Sequence, residues 1–175
     1  MIMDHKLKLM VVDDSPLFRT WLIHSLSADD RFQVVGYAVN ALDAQEKIPL
    51  LQPDMLTLDI EMPGMSGIEF LKQLLPVHPI PVILVSSLNL RVFDALEAGA
   101  VDFVRKPDEA NGLSKEIFLS MLRSKLMVAA ASHVHLPSAP ADPQAGGIRK
   151  VSSLPPARNT FLQKPKIPLG ASPET

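Results

Sequence analysis

Short apolar runs alternate with amphipathic stretches along the first three quarters of the chain. Each of five runs is continuously apolar, which is typical of parallel strands that are covered on both faces. Five such strands with helical patterns between them predict an α/β fold built on a doubly wound parallel sheet with right-handed crossovers. The predicted strands are Leu7–Asp13, Phe32–Ala38, Met55–Asp59, Val82–Ser86 and Val101–Val104.

The stretches between the strands show helical spacing of apolar residues. The first follows Ser15 and Pro16, a good N-cap residue and a proline suited to the first helical position. The second helix, Ala41–Leu51, is expected to be interrupted by Pro49. Two shorter helices are predicted at Gly67–Leu75 and Leu90–Ala98. The apolar stripes of the first and last helices contain Leu17, Phe18, Trp21, Leu22 and Leu26, and Ile117, Phe118, Met121 and Leu122.

Proline content divides the chain into two parts. Eight of the 16 prolines fall in residues 133–175, together with many Ser and Ala residues. A segment of this composition buries too little apolar surface to offset the entropy of ordering it. We therefore predict a folded domain over residues 5–131 and a disordered, Pro-rich linker or tail over residues 132–175.

Composition and charge narrow the class of protein. A hydrophobic content of 47% is ample for a core, and the net charge of −2 argues against nucleic-acid and membrane-surface partners. The chain has no cysteine, which excludes disulfides and thiolate metal sites. The first residues, "MIMDHKLKL", have no apolar region of signal-peptide length, and no run approaches the roughly 18 apolar residues of a membrane span. A cytoplasmic protein is expected.

Polar residues stand where the predicted strands end. Asp13 and Asp14 end the first strand, Asp59 the third and Ser86 the fourth, and Lys106 follows the fifth. Open parallel sheets place their sites outside the carboxyl ends of the strands. The sequence therefore predicts that three carboxylates, a hydroxyl and an ammonium group converge on one edge of the sheet.

Adjacent carboxylates need a compensating charge. At an effective dielectric constant near 20, two unit charges ~4 Å apart repel by about 4 kcal/mol. A hard divalent cation offsets this repulsion, and Mg²⁺ takes oxygen ligands. We therefore predict Mg²⁺ at Asp13, Asp14 and Asp59. Glu61 is expected to point outward, so that its backbone carbonyl is the predicted metal contact.

Each of these residues also has a simpler interpretation. Asp14 alone fits a cap of the first helix, Ser86 a polar strand end, and Lys106 a solvated surface charge. These readings, taken one by one, do not explain why all the polar residues stand at strand ends. The convergent site is therefore preferred.

The set Asp13/Asp14, Asp59, Ser86 and Lys106-Pro107 resembles the receiver domain of two-component response regulators, over residues 7 to about 128. The phrases "TLDIEMPGMSGIEFL", "PVILVSSL" and "ALEAGAVDFVRKP" are similar to one subgroup, the regulatory domain of chemotaxis protein-glutamate methylesterases (CheB). The resemblance implies a flavodoxin-like sheet in the order 2-1-3-4-5.

The resemblance also implies roles. Asp59 would be the phosphoacceptor, becoming a 4-aspartylphosphate at the expense of a phosphohistidine on a chemotaxis-type histidine kinase. Lys106 would place a positive charge, and Ser86 a hydroxyl donor, beside the phosphoryl oxygens. Phe103 matches the aromatic switch residue, which turns inward when Ser86 moves, although plain core packing also explains it. The Lys106–Pro107 bond is expected to be cis. The implied Mg²⁺ ligands are Asp13, Asp14, the Asp59 side chain and the Glu61 carbonyl.

Two departures from the subgroup bear on function. Only "NLRVFD" separates "VSSL" from "ALEAGAVDF", which shortens the segment after Ser87 and puts the output surface in question. The methylesterase domain is not in this chain: "PLGASPET" reaches Ser172, where the family's nucleophile would stand, and all five histidines precede it. We expect this chain alone to be inactive as an esterase.

Three functions are compatible with a carboxylate cluster on such a sheet. The preferred one is a phosphoacceptor domain of chemotaxis signalling that controls a methylesterase domain, with receptor-associated proteins or that effector domain as further partners. The alternative is a stand-alone receiver that acts as adaptor or phosphate sink. A phosphatase with an Asp nucleophile is disfavoured. Such enzymes carry Asp-x-Asp on the first strand and an acidic pair late in the chain. Here the order is reversed, because the acidic pair follows the first strand and the third-strand phrase is Asp59-Ile60-Glu61.

Overall fold

The computed structural model describes residues 5–87, 92–108, 110 and 112–133. Strands and helices alternate along this part of the chain. The strands are β1 (Leu7–Val12), β2 (Phe32–Ala38), β3 (Met55–Asp59), β4 (Val82–Ser86) and β5 (Asp102–Arg105). The helices are α1 (Pro16–Ser27), α2 (Ala41–Leu51), α3 (Gly67–Leu74), α4 (Val92–Glu97) and α5 (Lys115–His133).

The five strands form one parallel sheet in the order β2-β1-β3-β4-β5. This confirms the predicted flavodoxin-like α/β fold. Val12 of β1 pairs with Leu58 of β3, so that the first residue after β1 lies level with the last residue of β3. The register therefore brings Asp13 and Asp59 side by side at the carboxyl edge of the sheet.

Side chains of alternate strand residues enter two separate cores, because successive residues of a strand point to opposite faces. Met10 and Val12 pack into the core that contains α2 and α3 residues. Leu9 and Val11 pack into the other core, with residues of α1 and α5. Both faces of the sheet are thus covered, which explains why the strands are continuously apolar.

Several predicted details differ from the structure. The last strand is shifted by one residue, to Asp102–Arg105. Pro49 does not interrupt α2, which continues to Leu51: Pro49 and Gln45 are both exposed, so water can satisfy the carbonyl group that loses its intrahelical donor. Three residues assigned to apolar stripes are instead exposed, namely Leu17, Ile117 and Met121.

Helix starts close to the carboxyl edge are fixed by capping. Ser15 is the N-cap of α1, as predicted, and its hydroxyl accepts a hydrogen bond from the Phe18 N–H. At α3, Ser66 and Glu69 form a reciprocal capping box. At Gly67 the backbone of α3 comes close to the backbone at the end of β3, and the Gly67 N–H donates to the Ile60 carbonyl. A Cβ atom at position 67 would lie 2.9 Å from Ile60 Cα and press on the Asp59 carbonyl oxygen.

Within the part of the chain described here, no helix is both long enough and apolar enough to cross a membrane.

Candidate functional site

Three carboxylates meet at the carboxyl edge of the sheet. The side chains of Asp13, Asp14 and Asp59 each offer an oxygen within 4.8 Å of the others. Asp13 and Asp59 are buried, whereas Asp14 is exposed. Asp14 does not cap the first helix, since Ser15 holds that position. The structure thus brings together the three predicted carboxylates, with one of them open to solvent.

Lys106 joins the two buried carboxylates. Its Nζ atom lies 2.8 Å from Asp13 Oδ2 and 2.7 Å from Asp59 Oδ2. The side chain is only 14% exposed, so the interpretation of Lys106 as a solvated surface charge is wrong. Its backbone N–H donates to the Ser86 carbonyl, which anchors the segment after β5 to the end of β4. The predicted cis bond is also wrong, because Lys106–Pro107 is trans.

Backbone donors hold the remaining oxygens of the buried pair. The Ser15 N–H donates to Asp13 Oδ1 at 2.8 Å, and the Glu61 N–H donates to Asp59 Oδ1 at 3.0 Å. The Arg19 guanidinium donates to the Asp13 carbonyl at 2.7 Å. Both carboxylates are therefore oriented from two sides, by Lys106 and by a loop amide.

Burial and charge shift the pKa values of the two central groups. Burial raises the pKa of Asp59 to about 6, with a smaller contribution from Asp13; the Lys106 ammonium and the Glu61 N–H act in the opposite direction. Burial lowers the pKa of Lys106, but Asp13 and Asp59 outweigh this, and the net shift is upward. Near neutral pH the site therefore holds a basic, mostly ionised Asp59 beside a charged Lys106.

The donor set suits Mg²⁺. Three carboxylates against one ammonium leave a local charge of about −2, which a divalent cation neutralises. All three offer hard oxygen ligands, and exposed Asp14 leaves room for the waters that Mg²⁺ retains. Glu61 is exposed as expected, and its N–H faces Asp59. Its carbonyl as a metal contact stays a prediction.

Ser86 and Phe103 lie beside the site, on neighbouring strands. Ser86 is buried at the end of β4, and Phe103 pairs in register with Leu84, two residues before it. Phe103 is half-buried and packs against the core that contains Leu84. The switch role of both residues stays a prediction.

Sequence reasoning missed three residues that shape the site. Arg19 holds the Asp13 carbonyl, Gly67 allows α3 to approach Asp59, and the Phe18 ring lies below Lys106. The sequence pattern places Phe18 only in an apolar stripe. All three lie within eight residues of a strand-end carboxylate along the chain, and that proximity is the signal the sequence offers. Ser172 and the predicted tail from residue 134 onward lie outside the described residues.

Comparison with known proteins agrees with this geometry. Residues 9–118 match the model of the response regulator receiver domain. A protein-glutamate methylesterase/protein-glutamine glutaminase of Syntrophomonas wolfei is 46% identical over 129 residues, covering 74% of this chain and 38% of that protein. The corresponding Thiobacillus denitrificans protein is 37% identical over 172 residues, covering 95% of this chain and 47% of that protein.

A solved structure gives the same result. The response regulator domain of Thermotoga maritima CheB matches with a TM-score of 0.67 and 37% identity, over 73% of this chain and 98% of that domain. The chain thus spans less than half the length of the two curated relatives and nearly all of the solved receiver. It belongs to the response regulator receiver domain family.

Proposed function

We propose that this protein accepts a phosphoryl group on Asp59 from a phosphohistidine of a chemotaxis-type histidine kinase. The observation that carries the proposal is the position of Asp59 within the acidic cluster. Its carboxylate is buried, lies 2.7 Å from an ammonium and shares its edge of the sheet with two further carboxylates. A purely structural ion pair would not require a third, exposed carboxylate at the same point.

The transfer is a displacement at phosphorus. A carboxylate oxygen of Asp59 forms the new O–P bond while the P–N bond of the phosphohistidine breaks, and the bonding pair returns to the imidazole nitrogen. In the metal-free protein the pKa of Asp59, about 6, leaves the carboxylate mostly ionised at pH 7 and therefore able to attack phosphorus. The product is a mixed anhydride on Asp59.

The Lys106 ammonium stabilises negative charge at the site both before and after the transfer. Before transfer, its ammonium balances the Asp59 carboxylate; after transfer, the negative charge resides on the phosphoryl oxygens, a short distance further out. We assign Asp13, Asp14, the Asp59 side chain and the Glu61 carbonyl as Mg²⁺ ligands. Bound Mg²⁺ would supply charge neutralisation for the transferring group.

Ser86 and Phe103 are proposed as the response to phosphorylation. Ser86 would give its hydroxyl to a phosphoryl oxygen, and Phe103 would turn toward the space that Ser86 leaves. Support comes from their position: Phe103 is half-buried on β5, and the neighbouring β4 carries Ser86 two residues beyond its in-register partner. A half-buried ring at a core boundary can change its burial at small cost.

The downstream role is proposed from the relatives. Since two curated relatives are protein-glutamate methylesterases, phosphorylation would control such an effector domain in the cytoplasm, with receptor-associated proteins as further partners. The alternative is a stand-alone receiver that acts as adaptor or phosphate sink. Sequencing the reading frame beyond codon 175 separates these two possibilities, because only the first requires a catalytic domain to follow.

The test is labelling with acetyl phosphate in the presence of Mg²⁺, followed by intact-mass spectrometry. We expect one added phosphoryl group on the wild-type chain, none on Asp59→Asn, and none after chelation of divalent ions. Asp30→Asn is the matched control, since Asp30 is fully exposed and paired only loosely with Lys6. Full labelling of Asp59→Asn would contradict the assignment.

A further inference from the structure

We propose that Phe18 is a positioning residue for phosphoryl acceptance, because its ring holds the Lys106 ammonium in place through a cation–π contact, called the cation–π seat below. This inference rests on the proposed phosphoacceptor function. It assigns a role on α1 to a residue that touches neither Asp59 nor the incoming phosphoryl group in any contact described here. Phe18 would act entirely through Lys106.

The ammonium is held from three sides. Two are the carboxylate oxygens of Asp13 and Asp59, at 2.8 and 2.7 Å. The third is the Phe18 ring, whose centroid lies 4.6 Å from Nζ. Cations within about 6 Å of a ring centroid are attracted by the ring quadrupole, more strongly when they are shielded from water. At 14% exposure, the Lys106 side chain is shielded in this way.

The seat itself is fixed by packing. The Phe18 ring lies 5.5 Å from Trp21 and 5.8 Å from Phe118, the latter in an edge-to-face arrangement. Trp21 and Phe118 are 5.9 Å apart, so the three rings form a closed triangle. Phe118 is fully buried on α5. The triangle therefore holds the Phe18 ring in one orientation, under the ammonium, before any phosphodonor arrives.

The ring matters because the carboxylate partners change during the reaction. When Asp59 becomes an acyl phosphate, its carboxylate loses its negative charge, and the ammonium must turn toward the phosphoryl oxygens. The Phe18 ring is chemically unchanged in this step and keeps Nζ at the pocket throughout. Without it, the lysine would also sample solvent, and part of its positioning would be lost in the transition state.

Fluorination of the ring isolates this effect. Replacing Phe18 with mono-, di- and trifluorophenylalanine withdraws electron density from the ring face and leaves the shape nearly unchanged. We expect the rate constant for labelling by acetyl phosphate to fall stepwise, by about 3- to 10-fold across the series. The Phe18→Leu variant should be labelled about as slowly as the trifluorinated protein, and the Phe18→Tyr variant should retain most of the wild-type labelling rate.

Phe32 is the matched control. It is a buried phenylalanine at the other edge of the sheet, with the Arg31 guanidinium 5.4 Å from its ring centroid. The same fluorinated residues at position 32 should leave the labelling rate unchanged. The thermal unfolding midpoint should vary equally little in both series, because neither changes the volume of the core appreciably.

A signal from Lys106 tests the seat without phosphorylation. In the resting protein, ring current from Phe18 should shift the NMR signals of the methylene next to Nζ upfield, and Phe18→Leu should remove this shift; Lys106→Met identifies the signals. Equal labelling rates across the fluorinated series, or an unshifted signal, would overturn the positioning role alone. If the wild-type chain takes up no phosphoryl group, the proposed function is wrong and the positioning role falls with it.

Discussion

The ammonium of Lys106 lies 2.7 Å from a carboxylate oxygen of Asp59, although 47 positions separate the two residues in the chain. The parallel register creates this contact: Asp59 ends β3, Ser86 ends the neighbouring β4, and Lys106 follows β5 with its N–H on the Ser86 carbonyl. The fold therefore places a fixed positive charge next to the proposed nucleophile.

Removing Lys106 should destabilise the metal-free protein. Lys106→Met leaves Asp13 and Asp59 buried without their shared counter-charge, which should lower the free energy of unfolding by about 2–4 kcal/mol in EDTA. Added Mg²⁺ should recover part of the loss, because a dication replaces the missing charge. Urea unfolding with and without Mg²⁺ measures both. Lys115→Met, an exposed lysine on α5, is the control, and an equal loss there would contradict the account.

Asp59→Asn should stabilise the fold in EDTA at pH 7.5. The folded-state pKa of about 6 lies above the ordinary value of 3.8, so folding favours the protonated form, and the contribution of Asp59 to stability falls as pH rises from about 4 to about 6. Asparagine removes this cost, and the gain should be about 1–3 kcal/mol. It should shrink to a few tenths of a kcal/mol at about pH 3.5, where Asp59 is mostly protonated in both states. A gain that persists undiminished at about pH 3.5 would point to a different cause.

Asp29 should show the opposite pH dependence. Its hydrogen bond with the Arg31 side chain is the main factor that lowers the pKa to about 2, with Arg123 also contributing. The stability from this group is fully present above about pH 4 and is lost as pH falls toward 2. Asp29→Asn should therefore cost about 1–2 kcal/mol at pH 7 and progressively less in acid. An equal effect from exposed Asp30→Asn would argue against a specific contribution.

Gly67→Ala tests the close approach behind Asp59. Helix propensity alone predicts stabilisation by up to about 1 kcal/mol at the first position of α3. Steric contact with the backbone of Asp59 and Ile60 predicts destabilisation by about 1–3 kcal/mol instead. The sign of the change in thermal midpoint decides between them. We expect a lower midpoint together with slower labelling by acetyl phosphate, since Asp59 would be displaced.

The sheet and the strand-end carboxylates could be predicted because both depend on short-range patterns. Continuous apolar runs identify buried parallel strands, and an acidic pair directly after the apolar run of β1 is easily recognised in the sequence. Strand order follows from the family resemblance, and the structure confirms it. Phe32–Ala38, Met55–Asp59 and Val82–Ser86 agree with the predicted boundaries residue for residue.

The supporting contacts could not be predicted, because they depend on distances between distant segments. Phe18 has the spacing of a core residue, and only its position relative to Lys106 reveals the cation–π contact. The convergence of strand ends predicts that Lys106 lies near the carboxylates, but its burial and its simultaneous pairing with Asp13 and Asp59 depend on distances that the sequence does not contain. Pro49 was misjudged because a proline near an exposed helix end breaks only one hydrogen bond.

The most direct test of the central claim identifies the phosphorylated residue chemically. After labelling with acetyl phosphate and Mg²⁺, sodium borohydride reduces an aspartyl phosphate to homoserine, which tandem mass spectrometry locates in the sequence. The account predicts homoserine at position 59 and aspartate at Asp13, Asp14 and Asp30, with no homoserine when Mg²⁺ is chelated. Homoserine at another position, or a phosphoryl group that resists borohydride and resides on a serine or threonine, would contradict it.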